Sequence, residues 1–194
     1  MSKSDPASQK KERNKAIRWV AIIFFVTIFV SGTISLISDE IMANSSMAVA
    51  FLILFIIIFI GIIFDIIGVA VTSADEKPFH SMAARKVPGA QESIALLRNA
   101  ERVSSICNDV VGDICGVVSG SASATIAVQV LQNFEFTWPQ VVSLLMSALV
   151  AGLTVGGKAV GKTFAIGSCV PIVHMVGATI YRLRHLPELF HKKK

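Results

Sequence analysis

Three carboxylates stand inside otherwise apolar sequence. Asp65 interrupts IIIFIGIIFDIIGVAV, and Asp109 and Asp113 fall in SICNDVVGDICGVV with Asn108 beside them. Asp109 and Asp113 are four residues apart, a spacing that places both on one helix face. A carboxylate in a membrane span is expensive, so it normally faces a partner, a cavity or an ion. Asp65, Asn108, Asp109 and Asp113 are therefore the candidate metal-handling set. Oxygen donors of this kind suit a hard cation such as Mg²⁺. The bland alternative is that Asp109 and Asp113 sit near a span end and are simply hydrated.

A second stretch invites a different chemistry. GGKAVGKT, residues 156–163, fits the G-x-x-x-x-G-K-[ST] pattern of a phosphate-binding loop. Such a loop needs a strand before it and a helix after it, inside an α/β domain. Here it lies between two apolar stretches, and no α/β domain can be built from the remaining sequence. Nucleotide binding is not expected. The lysines Lys158 and Lys162 have two readings. They snorkel to headgroups, or the neighbouring Gly152, Gly156, Gly157 and Gly161 loosen the helix so that it lines an ion path.

The elements that must hold these residues follow from composition. Of the 194 residues, 53% are hydrophobic and only 16% charged, against about 25% charged in soluble domains. The mean hydropathy is +0.67. The net charge of +5 would suggest nucleic acid in a soluble protein, but here the basic residues sit in blocks. That is the pattern of a membrane protein obeying the positive-inside rule, and no nucleic-acid partner is expected.

Read along the chain, residues 1–15 form a basic cytoplasmic tail, taken as disordered. Residues 16–182 form one all-α transmembrane domain. Its spans are expected at 16–38, 47–73, 105–132 and 140–181, each long enough for a hydrocarbon core of roughly 30 Å. The fourth should break near 156–162. Residues 74–104 are polar, with a turn signal at Pro88-Gly89. Phe79, Met82 and Ala83 before it, and Ile94, Leu97 and Ala100 after it, recur at helical spacing. They predict an amphipathic helical hairpin lying against the membrane surface. Residues 183–194 form a second basic tail. No Lys or Arg occurs between Arg18 and Lys77 or between Arg102 and Lys158, so the loops in those gaps should be outside. Both termini and the hairpin should then be cytoplasmic, in the plasma or inner membrane.

In the third span, Asn108, Gly112, Gly116, Gly120 and Ala124 recur at steps of four, a small-residue stripe that lets another helix approach. Ser119, Ser121, Ser123 and Thr125 add hydroxyl oxygens. Cys107, Cys115 and Cys169 match no zinc or redox spacing and read as small apolar residues. His174 is expected to hydrogen-bond in the core. No catalytic constellation emerges, so no enzyme activity and no cofactor are expected.

From the second span onward the order of features resembles the transmembrane domain of the CorB/CorC and cyclin M family of magnesium transporters. GVAVTSADEKPFHSMAARKVPGAQESIALLRNAERVSSICNDVVGD is similar to that family's first helix, hairpin and start of the second helix. Asn108 falls on the first asparagine of its G-N-x-x-x-N signature. Gly157 to Lys162 falls on its GEIxPK-like motif, with Gly157 and Lys162 kept. Lys158 replaces the acidic residue and Gly161 the proline. Gly68 replaces a glutamate, and Cys107 and Gly112 replace the glycine and second asparagine. The first span is additional, and the CBS-pair regulatory domain is expected to be lacking.

The resemblance implies a dimeric, lipid-embedded cation transporter, with Mg²⁺ as cargo, Co²⁺ as a further candidate and sodium as a coupling ion. The rival expectation is a non-transporting adaptor that pairs with another membrane protein through Gly112, Gly116 and Gly120.

Overall fold

The computed structural model describes residues 6–134 and 138–191. The ends of both tails, 1–5 and 192–194, and the centre of the loop after the third span, 135–137, lie outside the described residues. Among the described residues there is helix and turn and no strand. In chain order the helices are α1 Pro6–Ala43, α2 Met47–Ser73, α3 Lys77–Ala84, α4 Ala90–Arg98, α5 Ala100–Ser104, a π-helical segment Ser105–Gly112, α6 Asp113–Asn133, α7 Pro139–Gly167 and α8 Cys169–His191.

Four segments are long and apolar enough to cross a bilayer: Ile17–Met42, Met47–Ser73, Ala100–Asn133 and Pro139–Gly167. Large apolar side chains such as Phe29, Leu36, Leu144 and Val160 point outward and are exposed. A surface of that kind would drive association in water and is ordinary against lipid. The molecule is an all-helical, membrane-embedded protein.

Helix α2 is the axis of the fold. It packs against α6, α7, the π-helical segment, α5 and α8, while α1 lies along α6. Helix α1 and the third span run parallel. Trp19 near the start of the apolar part of α1 meets Arg102, and Asp39 and Met42 near its end meet Ser121, Thr125 and Gln129. The buried face of α2 recurs at three and four residues: Ala50, Leu54, Ile58, Gly61, Asp65, Gly68 and Val71. It joins two apolar clusters. Met42, Leu54, Ile58, Ile126 and Val150 form one, with Ile62 at its edge. Val71, Phe79, Leu97, Ala165 and Val173 form the other, with Ile66 at its edge. Asp65 sits at the seam between them.

Four expectations are corrected. The helix of α1 begins at Pro6, so the residues described in the basic tail are helical, not disordered. Proline suits a helix start, and Gln, Lys, Glu and Arg extend a helix that the following span nucleates. The last span does not break at 156–162. Helix α7 runs unbroken to Gly167, the chain turns at Ser168, and α8 starts at Cys169. Pro171 explains the position. It cannot donate into a continuing helix but is tolerated in the first turn of a new one. The glycines serve packing instead: a Cβ on Gly161 would lie 2.8 Å from Ile66 Cγ1, and one on Gly157 would collide with Ile62.

Third, the hairpin is present as α3 and α4, but its apolar face is turned into the protein. Phe79 and Leu97 are buried with residues of α2 and α8. Gly89, at φ +87°, makes the turn, a backbone state glycine enters freely. It lies against the backbone of Gly177 and Ala178 so closely that a Cβ would overlap it. Ser93 Oγ lies 2.8 Å from Gly89 O and 3.3 Å from Val173 O, tying α4 to α8. Fourth, His174 Nε2 is buried and makes no hydrogen bond, unlike the satisfied core histidine expected.

Candidate cation site between α2, the π-helical segment and α7

The inward face of α2 carries one charged residue, Asp65. Helix α7 reaches it because Gly157 and Gly161 let the two helices close on Ile62 and Ile66. That approach brings Lys158 Nζ to 3.8 Å from Asp65 Oδ1, with the side chains 22% and 5% exposed. The distance is that of an ion pair, longer than a hydrogen bond. The third wall is the π-helical segment. Gly112 makes room for the ammonium, since a Cβ there would sit 3.2 Å from Lys158 Nζ.

Asn108 comes from the same segment. Its Nδ2 donates to Ser104 Oγ at 3.1 Å. Its Oδ1 faces Gly68, where a Cβ would collide with it. Two buried oxygens, Asp65 Oδ2 and Asn108 Oδ1, accept no hydrogen bond. Buried polar atoms are nearly always satisfied, so each exception calls for an explanation. π-helical turns recur at functional sites for a related reason: they redirect side chains and relax the backbone ladder.

The four candidate metal residues are thus divided. Asp65 and Asn108 face the seam, whereas Asp109 and Asp113 are exposed on the outer side of the third span. No group of three or more His, Cys, Asp and Glu is placed to hold a metal ion among the described residues. Lys162 is also exposed. GGKAVGKT lies wholly inside α7, where its amides run along the helix axis and form no phosphate cradle.

The small-residue stripe divides as well. Gly112 is buried against Lys158, while Gly116 and Gly120 have nothing within 4 Å of where a Cβ would stand, and Ala124 is exposed. The hydroxyls are largely occupied. Ser121 and Thr125 donate to Asp39 Oδ1 at 3.3 and 3.4 Å, and Gln129 Nε2 donates to Met42 O at 2.6 Å. Ser119 and Ser123 donate to Gly116 O and Gly120 O. They line a groove between α6 and α7 with Ser147 and Thr154.

Sequence reasoning missed that Lys158 is the partner of Asp65. A signal existed in α2: Gly61, Asp65 and Gly68 share the three-and-four spacing of its buried face. A carboxylate between glycines on an inward face implies close neighbours on that side. Compared with known proteins, the chain matches no protein-family model, no curated protein and no solved structure.

Proposed function

We propose that the chain is a cation transporter whose path passes Asp65, between α2, the π-helical segment and α7. One observation carries this reading: a buried carboxylate and a half-buried amide present two buried hard oxygens, Asp65 Oδ2 and Asn108 Oδ1, that accept no hydrogen bond. An ionisable residue at this depth is a functional site by default. The resemblance to the CorB/CorC and cyclin M transporters supplies the cargo of the proposal, a divalent cation, Mg²⁺ with Co²⁺ as a further candidate. Lys158 balances the carboxylate charge at rest. Its long, partly exposed side chain must withdraw for a cation to pass, because two cations at such a range repel. The same reading places the protein in the plasma or inner membrane, with both termini and the hairpin cytoplasmic. It assigns no enzyme activity.

The test is Mg²⁺ flux into proteoliposomes loaded with a magnesium dye. Wild type is expected to carry flux and Asp65→Asn to lose it. Absence of flux from folded wild-type protein would remove the reading.

A second reading, a non-transporting adaptor, draws on another observation. Asp113, Gly120 and Ala124 are exposed in the single chain, and Gly116 and Gly120 have open space where a Cβ would stand; a charged residue exposed on a span calls for a cover.

A further inference from the structure

The groove at the junction of α4 and α5 has no role in the cation path. It is lined by Leu97, Arg98, Asn99, Ala100, Glu101 and Arg102 and is an open concavity of about 490 Å³. The helix is interrupted at Asn99, which opens the concavity. Two apolar helical segments long enough to span begin beside it, the third at Ala100 and the first at Ile17. Arg102 and Trp19 connect them, the guanidinium carbon 5.9 Å from the ring centroid. Tryptophan collects at the headgroup level of membranes, and a guanidinium over its face is held there by cation–π attraction.

We propose that this groove binds the phosphate of an anionic phospholipid headgroup between Arg98 and Arg102. Two arginines against Glu101 leave the lining itself a net charge of +1, with Glu76 standing beside Arg98 at the edge. Arg98 remains available. Its contact to Glu76 is 3.9 Å, and the two side chains are 64% and 39% exposed, so that pair contributes little. The planar guanidinium also matches phosphate geometry better than any lysine. The acyl chains would leave the groove past Trp19 and lie along α1, whose residues Val20, Phe24 and Ile28 are exposed and apolar.

The experiment uses the full chain with Trp138→Phe, so that Trp19 is its one tryptophan, in mixed micelles. Quenching of Trp19 is read with brominated phosphatidylglycerol and with brominated phosphatidylcholine. Phosphatidylglycerol is expected to bind about fivefold to thirtyfold tighter, the range for one to two basic residues at a membrane surface. Arg98→Gln with Arg102→Gln should erase the preference, and Arg98→Lys with Arg102→Lys should keep part of it. Equal quenching by the two lipids in the parent protein overturns the proposal whether or not the glutamine variant folds. So does a preference that survives in a folded glutamine variant. Protection of Trp19 by millimolar inorganic phosphate, without lipid selectivity, would assign the groove to a soluble phosphate and overturn the lipid assignment.

Discussion

Gly68 and Asn108 meet across the interface of α2 and the π-helical segment, the Asn108 amide filling the space that a side chain on Gly68 would need. The pair links helix packing to the candidate site, because Asn108 Oδ1 is one of its two unpartnered oxygens. Gly68→Ala should displace Asn108 and destabilise the protein by about 1–3 kcal/mol, the usual range for overpacking. Gly116→Ala, at an open position, should stay within about 0.5 kcal/mol. Thermal unfolding in detergent compares the two, and equal effects would refute the close contact.

Asp65 and Lys158 should behave as one unit. Lys158→Met leaves the buried Asp65 carboxylate without its partner, a loss on the order of 3–5 kcal/mol, whereas Asp65→Asn leaves only the partly exposed Lys158 and should cost less. Asp65→Asn combined with Lys158→Met removes both charges and should recover most of that loss. A double-mutant cycle on thermal unfolding reads the coupling, and additive single effects would show that the pair does not interact.

The hairpin depends on Gly89 and Gly177. Alanine at Gly89 must hold φ +87° and overlap the backbone of α8, and the left-handed backbone alone costs about 1–2 kcal/mol. Gly177→Ala would intrude on Gly89 O and Ser93. Both should detach α3 and α4 from α8, seen as faster hydrogen exchange over 77–98 with the α1–α6 contact unchanged. Uniform loss of protection across the chain would contradict a local hinge.

Orientation can be read by labelling. Ser45, half-buried, lies between the first two spans, and Lys86, exposed, lies in the hairpin turn. With the three native cysteines replaced, Ser45→Cys should react with an impermeant maleimide on intact cells. Lys86→Cys should react only after permeabilisation. The reverse pattern would invert the topology.

The open face on α6 makes a separate prediction. Gly120→Leu starts from a position where a Cβ has nothing within 4 Å and extends into the open groove between α6 and α7, so it should leave the unfolding temperature of the single chain unchanged. If that face covers a second copy, the same change should convert dimer to monomer in sedimentation. A stable dimer carrying Gly120→Leu would exclude this face as the contact.

Much of the fold was legible from local chemistry. The spans announce themselves because a bilayer demands long apolar helices whatever their neighbours. The hairpin showed in Pro88-Gly89, a turn that only a few residue types make, and the apolar spacing around it picked out Phe79 and Leu97 as one face, though the structure turns that face into the protein and not onto the membrane surface. The charge blocks and the carboxylates were equally plain, since each is a property of a few adjacent residues.

What the sequence determined alone was therefore the class of the molecule, the number of spans and the short list of unusual polar residues. Only the tertiary structure decided which of them meet. It turned Asp65 inward and Asp109 and Asp113 outward, paired Lys158 with Asp65, and moved the break from the glycines to the turn before Pro171. The physical reason is common to all three. A glycine weakens a helix in isolation, but between packed helices it admits a neighbour. Whether it bends or packs, and which charge it brings to which, depends on residues that the chain brings together from far apart.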